Sequence, residues 1–150
     1  MRITVVNQTP AHLSTTWIRQ VIQAAAKLTE TKDSEHSVVV TFLPDQEVRR
    51  LNKRYRKIDR VTDVLSFTYT MEGDQDASSD DFPFGELIIA PDQMQRQADR
   101  RKRPVKEELR DLLIHGYLHL LGHDHHKVGE RRIMRAWEDK VKDYLTKARS

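Results

Sequence analysis

The sequence predicts a single α+β domain covering residues 1–150, in which a small mixed four-stranded sheet packs with about five helices. Three observations lead to this class. Four short runs are rich in β-branched residues, and five longer runs repeat their apolar residues with helical period. The two kinds of run do not alternate strictly, as they would in a doubly wound α/β fold, and no internal repeat or domain boundary interrupts them.

The four strands are expected where β-branched and apolar residues cluster between turn signals. They are RITVV (2–6), SVVVTFL (37–43), TDVLSFTY (62–69) and GELIIA (85–90). Pro44 ends the second strand and Pro91 ends the fourth, because proline cannot continue a hydrogen-bonded ladder. The acidic run MEGDQDASSDDFP (71–83) predicts a surface loop between the last two strands.

The five helices are expected where apolar residues recur at three- and four-residue spacing. They are STTWIRQVIQAAAKLT (14–29), DQEVRRLNKRYRK (45–57), DQMQRQADRRK (92–102), PVKEELRDLLIHGYLHLLG (104–122) and GERRIMRAWEDKVKDYLTKA (129–148). The predicted buried stripes are Trp17, Val21, Ile22, Ala25 and Leu28 in the first helix, Val48, Leu51 and Tyr55 in the second, and Ile133, Met134, Trp137, Val141, Tyr144 and Leu145 in the last. Pro104 and Gly122 mark the start and the end of the fourth helix.

The composition limits the chemistry that is open to the chain. It contains no cysteine, so disulfides, thiolate metal sites and cysteine nucleophiles are excluded, and any metal must be bound by nitrogen and oxygen. No apolar stretch approaches the roughly 18 residues of a membrane span, and the start lacks a signal-peptide core. A cytoplasmic protein with no membrane partner is therefore expected. The net charge of +3 is too small to identify a partner by itself.

The segment HGYLHLLGHDHH (115–126) holds five of the seven histidines of the chain. His115 and His119 are four residues apart on a predicted helix, so their side chains lie about 40° apart around its axis and can share an ion. Gly122 suits a left-handed helix end, after which the chain can reverse and return His125 to the same ion. Three imidazoles and a water make an open, zinc-type catalytic site at the end of this helix.

The same spacing occurs in the metzincin proteases, which leaves a zinc metallopeptidase as an alternative. Gly116 stands where those enzymes carry the glutamate that acts as general base, which argues against proteolysis. A glycine inside a helix also indicates that another group comes close to the backbone there. His123 and His126 are expected to be exposed bystanders, whereas Asp124 either bonds a ligand imidazole or caps the turn.

Two segments concentrate positive charge. RRLNKRYRKIDR (49–60) has seven basic residues and one acid, and RQADRRKRPVKEELR (96–110) has seven basic residues and three acids. Both segments suit the phosphate backbone of a nucleic acid, with Arg100, Arg101 and Arg103 as candidate phosphate contacts, and both are also compatible with solvated helix faces. Arg56 ends the second helix, and its planar fork suits a phosphoryl group as well as it suits a surface salt bridge.

The motifs resemble those of the YbeY family, bacterial endoribonucleases of ribosomal RNA maturation. HGYLHLLGHDH is similar to the family signature H-G-x-L-H-L-x-G-Y-D-H, and LNKRYRKIDRVTDVLSF is similar to L-N-x-x-Y-R-x-x-D-x-P-T-D-V-L-S-F-P. GELIIA resembles the family strand G-D-I-x-I-x, and together the blocks run from about residue 51 to residue 125. The chain departs from the pattern at His123, where the family has Tyr, and at Val61 and Thr68, where it has Pro.

The resemblance implies one zinc ion, or another divalent transition metal, held by His115, His119 and His125, with Arg56 as the functional arginine. It implies a single-strand-specific endoribonuclease acting in 16S rRNA 3′-end maturation and late 70S ribosome quality control. The partners would be rRNA and the ribosome, with ribosomal or assembly-factor proteins as further candidates. A non-catalytic ribosome-assembly factor with a structural metal is a second alternative. The general base stays open among metal hydroxide, Asp124 and a ribose 2′-OH.

Overall fold

The computed structural model describes residues 1–29, 37–68, 85–122 and 128–147. Within them the chain forms the strands β1 (Arg2–Asn7), β2 (Ser37–Phe42), β3 (Val64–Thr68) and β4 (Gly85–Ile89). The helices are α1 (Thr15–Leu28), α2 (Asp45–Arg56), α3 (Pro91–Arg101), α4 (Val105–Leu120) and α5 (Val128–Lys147). This confirms the predicted α+β class and places every predicted element within two residues of its expected bounds. The predicted acidic loop at 71–83 lies outside the described residues.

The sheet is mixed, and its strand order is β1-β2-β4-β3. β1, β2 and β4 run parallel, whereas β3 runs antiparallel to β4 with Val64 opposite Ile89 and Thr68 opposite Gly85. β3 therefore forms one edge of the sheet among the described strands. Because side chains alternate between the two faces of a strand, Leu87 and Ile89 of β4 point to one face and Ile88 points to the other.

The two faces of the sheet carry separate apolar clusters. The larger one joins Leu87 and Ile89 to residues of α1 and α4 and to Val141 of α5. The smaller one joins Leu65 and Ile88 to Val48 of α2. It follows that α2 and α4 lie on opposite faces of the sheet.

Two glycines allow α4 to lie close to β4. A Cβ at Gly116 would come within 2.8 Å of Leu87 Cδ2, and a Cβ at Gly85 would come within 2.6 Å of Leu120 Cδ2. The expectation that something approaches the helix backbone at Gly116 is confirmed, and the approaching group is a core leucine of the sheet. Because the contacts involve Gly116 and Leu120, the C-terminal half of α4 lies over the start of β4.

The predicted burial of Tyr55 was wrong. Val48 is fully buried, but the Tyr55 side chain is 55% exposed. Its ring meets Phe67 edge-on with centroids 5.3 Å apart, and the Arg54 guanidinium lies 5.4 Å from the ring centroid. The reason is that Phe67 belongs to the edge strand β3, so no further described strand covers the other side of the tyrosine ring.

The other predicted helix stripes largely pack as expected. In α1, Val21, Ile22 and Ala25 are buried, while Trp17 and Leu28 are half-buried. The Ser14 hydroxyl caps this helix by accepting a hydrogen bond from the Trp17 amide at 3.2 Å. In α5, Val141 is buried and both Tyr144 and Leu145 pack against the larger core. The side chains of Ile133, Met134 and Trp137 lie outside the described part of the structure.

Asp111 of α4 is the centre of an ion-pair network that joins α4 to α5 and to the turn between α3 and α4. Its carboxylate accepts a hydrogen bond from Arg103 at 2.6 Å and lies 3.3 Å from Lys142 Nζ of α5. Burial alone would raise the pKa of Asp111, but the Arg103 hydrogen bond and the charge of Lys142 outweigh it and hold that pKa below its usual range. The ionised carboxylate therefore stabilises the packing of α5 against α4.

This network predicts how stability depends on pH. A folded-state pKa below the unfolded value of about 3.9 contributes stability that is complete above that value and is lost as the pH falls through the folded pKa. Asp111→Asn should lower the free energy of unfolding at pH 7, and the deficit relative to wild type should shrink below about pH 4. Urea unfolding at a series of pH values measures this difference. Asp139→Asn, at an exposed position on α5, is the control and should keep the wild-type pH dependence.

Candidate metal centre

His115 and His119 converge on one point beside the C-terminal half of α4. Their Nε2 atoms are 3.1 Å apart, at hydrogen-bond distance, and their ring centroids are 4.6 Å apart at an interplanar angle of 65°. The His115 side chain is 31% exposed, so solvent reaches the pair. The predicted shared face is confirmed, because the four-residue spacing does bring the two imidazoles together.

The pair fits a zinc-type ion. Two nitrogens bound to one tetrahedral zinc at about 2.0–2.1 Å lie about 3.3 Å from each other, close to the separation seen here. Neutral imidazole is also a preferred ligand of zinc and of its neighbours in the transition series. The residues that the structure describes contain no group of three potential ligands. His125, together with His123, Asp124 and His126, lies outside them, so the third ligand stays a prediction.

The chain leaves α4 through the left-handed turn that the sequence predicted. Gly122 has φ +95°, and its amide donates to the His119 carbonyl at 2.9 Å. A Cβ at this position would meet no atom within 4 Å. Glycine is therefore required by the backbone conformation and not by lack of space, since this region of φ disfavours other residues.

Glu138 of α5 was not among the site residues that the sequence predicted, yet it contacts the histidine pair. Its Oε1 lies 3.1 Å from His115 Nδ1, the ring nitrogen that does not face His119. Four residues further along α5, Lys142 meets Asp111, which is four residues before His115 on α4. A carboxylate and a lysine four apart were visible in the sequence, but nothing in it specified how the two helices align.

Arg56 occupies a different position from the histidines. It is the last residue of α2, it is exposed, and it forms no hydrogen bond or ion pair with any residue that the structure describes. The neighbouring Tyr55 packs on Phe67, which is paired with Glu86, while Leu120 of α4 packs on Gly85. Arg56 and His119 are thus anchored at the same end of the β3–β4 ladder, on opposite faces of the sheet.

The first basic segment ends in a cluster of cations without acidic partners. Arg49 and Lys53 lie near Asp59, and Arg50 pairs with Glu47. Among the described residues, the cations of this segment that have no acidic partner are Arg54, Arg56, Lys57 and Arg60. Lys57 ends α2 in a left-handed conformation, and Asn52 Nδ2 donates to the Arg60 carbonyl at 2.8 Å, so the returning chain brings Arg60 back beside the helix.

The second basic segment is used differently, because two of its three candidate phosphate contacts also form ion pairs within the protein. The carboxylate of Glu108 is only 1% exposed and accepts hydrogen bonds from Arg101 at 2.9 Å and Arg103 at 2.8 Å. A buried carboxylate without its partners costs several kcal/mol, so these two arginines neutralise the interior. Of the three arginines proposed from sequence, only Arg100 has no acidic partner in the described structure.

The described helices include none that is long and apolar enough to cross a membrane.

Comparison with known proteins identifies the family. The family model described as endoribonuclease YbeY matches residues 4–146. The endoribonuclease YbeY of Bacillus pumilus is 36% identical over 138 residues, which are 89% of this chain and 86% of the relative. That of Caldanaerobacter subterraneus is 37% identical over 134 residues, which are 84% of each chain.

Solved structures agree with the fold. The solution structure of a Thermotoga maritima protein matches 97% of this chain and 93% of its own with a TM-score of 0.62. At 20% sequence identity this likeness concerns the fold alone. The family model and the curated relatives cover most of the chain, and on their evidence the chain belongs to the endoribonuclease YbeY family.

Proposed function

We propose that the protein is a metal-dependent endoribonuclease that cuts single-stranded RNA, with His115, His119 and His125 as the ligands of one zinc or similar divalent ion. The observation that carries the proposal is the convergence of two imidazole Nε2 atoms at 3.1 Å in a chain of this family. The proposed setting is cytoplasmic: 16S rRNA 3′-end maturation and late 70S ribosome quality control, with rRNA, the ribosome and its assembly factors as partners.

The two histidines are suited to a catalytic centre more than to a purely structural one. They hold their ring nitrogens toward a point that solvent reaches, and open access is what a catalytic ion needs for a substrate position. Such an ion, when bound, polarises a phosphoryl oxygen and makes a water molecule more acidic. The role of the chain is then to fix the ligand nitrogens and to present the phosphodiester to them.

Arg56 is proposed to stabilise the negative charge that develops on the phosphoryl group. Its guanidinium is exposed and has no acidic partner in the described structure, so it can bind a phosphate without first breaking an ion pair. It is anchored at the same end of the β3–β4 ladder as His119 but on the opposite face of the sheet, of which β3 is an edge strand. An RNA strand that passes around this edge can reach both, with the exposed Tyr55 ring available for stacking a base.

A peptidase with the same ligand spacing is disfavoured by Gly116. That position would have to supply a glutamate as general base, but a Cβ there already comes within 2.8 Å of Leu87. Position 116 faces the sheet and not the histidine pair, so a carboxylate built there would enter the core. The base stays open among the water on the ion, Asp124 and a substrate 2′-OH.

The ligand set makes a prediction about metal content. Wild-type protein dialysed after zinc loading should keep about one ion per chain, because three imidazoles saturate the protein side of an open site. His119→Ala should lose it, whereas His12→Ala, at an exposed position on the chain that follows β1, should retain it. Elemental analysis of the dialysed samples measures this. Retention of a full equivalent by His119→Ala, or loss of the ion in His123→Ala, would contradict the assignment.

Arg56 makes a prediction about chemistry that is separate from metal binding. Arg56→Ala should fold and keep its metal but cleave a labelled single-stranded RNA about 100- to 1000-fold more slowly, as at sites where one donor to a developing oxyanion is removed. Arg56→Lys should recover only part of the rate, because an ammonium cannot make the two-pronged contact.

Two controls accompany this experiment. Arg50→Ala, on the same helix but paired with Glu47, should cleave at nearly the wild-type rate. Casein incubated with the same wild-type sample should stay intact, since cleavage of protein would support the peptidase. A rate for Arg56→Ala within twofold of wild type would remove the residue from the mechanism.

The cations without acidic partners predict the salt dependence of RNA binding. Replacing Arg54, Lys57 and Arg60 with Gln should weaken binding, and the slope of log affinity against log salt should become shallower by about 0.7 for each phosphate of the single strand that the variant no longer binds. Replacing Arg49, Arg50 and Lys53 removes the same charge from the same basic segment, but these side chains already have carboxylate partners.

The matched triple variant should therefore change the slope much less. Fluorescence anisotropy with the labelled RNA over a range of salt concentrations measures both variants. Equal changes of slope in the two triple variants would mean that net charge alone sets the affinity for RNA. An unchanged slope in the variant of Arg54, Lys57 and Arg60 would mean that these cations face solvent without contacting RNA.

A further inference from the structure

His115 uses its two ring nitrogens for two different neighbours. Nε2 lies 3.1 Å from His119 Nε2, and Nδ1 lies 3.1 Å from Glu138 Oε1. Both side chains of the second contact are half-buried, with His115 31% exposed and Glu138 22% exposed. The carboxylate can only accept a hydrogen bond when it is ionised, so Nδ1 is the nitrogen that carries the hydrogen.

We propose that Glu138 is a positioning residue of the metal centre. By accepting the Nδ1–H of His115 it fixes the imidazole in the tautomer whose Nε2 lone pair points at the place shared with His119. A carboxylate in this role also holds the ring against rotation and makes the ligand nitrogen more basic. The proposal rests on the metal-dependent function proposed above. It adds Glu138 of α5, which lies outside the histidine motif in the sequence.

The alignment of α4 and α5 supports this role independently. Asp111 and His115 are four residues apart on α4, and their partners Lys142 and Glu138 are four residues apart in the reverse order on α5. The two contacts therefore connect the antiparallel helices at successive helical turns. The pair of Asp111 with Lys142 at 3.3 Å is consistent with the register that brings Glu138 to His115.

The burial pattern of α5 agrees with this alignment. Glu138 is half-buried and Val141 is fully buried, three residues apart on the side of α5 that packs on the core. Asp139 and Lys140, which lie between them in sequence, are exposed. Asp139 therefore offers the same charge one position away, turned from α4, and is the natural control.

The proposal predicts the zinc affinity of two matched variants. Glu138→Ala should weaken zinc binding about 10- to 100-fold, the usual cost of losing a carboxylate behind a ligand histidine. Asp139→Ala removes the same charge from the same helix and should keep the wild-type affinity. Competition with a chromophoric chelator measures the affinities in the absence of RNA.

Cobalt substitution provides a measurement that would not change if Glu138 only helped to pack α5 against α4. The visible spectrum of bound Co²⁺ depends on coordination geometry, so Glu138→Ala should alter it and Asp139→Ala should not. Glu138→Gln, which keeps the shape and one acceptor oxygen, should fall between wild type and alanine in zinc affinity. It also replaces the alanine variant if that variant does not fold.

The outcomes separate this proposal from the proposed function. Reduced stability of metal-free Glu138→Ala, with zinc affinity and cobalt spectrum unchanged, would overturn the positioning role and leave only a helix-packing contact. A wild-type protein that binds zinc in a Glu138-dependent way but does not cleave RNA would support the positioning role and contradict the endoribonuclease. A wild-type protein that takes up no zinc would overturn both.

Discussion

The close approach of α4 to β4 is the constraint on which the rest of the structure depends. Gly116 leaves room for Leu87, and Gly85 leaves room for Leu120, so helix and strand meet at two points along their length. Interiors are packed at close to crystal density, and an added methyl at either point would have to displace a core leucine. This contact determines which side of α4 faces the sheet, and the other sides are thereby assigned to α1, α3 and α5.

One side of α4 carries polar residues that a buried helix would normally exclude. Glu108, Asp111, His115 and His119 follow one another at three- and four-residue spacing, which places them on one stripe. The neighbours that satisfy them come from different elements: Arg101 and Arg103 for Glu108, Lys142 for Asp111, and Glu138 for His115. This polar stripe thus begins at the buried carboxylate of Glu108 and ends at the candidate metal centre of His115 and His119.

The two basic segments illustrate why charge in a sequence does not identify a binding surface. Both contain seven cations, yet Arg101 and Arg103 neutralise a buried carboxylate, whereas Arg54 and Arg56 face solvent without acidic partners in the described structure. If an arginine breaks its ion pair with a buried carboxylate in order to bind RNA, the carboxylate is left buried without a partner, which is unfavourable. The end of α2, whose cations have no acidic partners in the described structure, is therefore the surface on which the main RNA contacts are proposed.

The sequence by itself determined what depends on local geometry. Helical and strand periodicity predicted the elements, the spacing of His115 and His119 predicted their convergence, and Gly122 predicted the turn that ends α4, because each of these follows from a few neighbouring residues. Only the tertiary structure decided the exposure of Tyr55, the pairing of Arg101 and Arg103, and the contact of Glu138 with His115. These depend on how whole elements align, and that alignment is set by packing between residues far apart in the chain, for which the periodicity of a single segment carries no information.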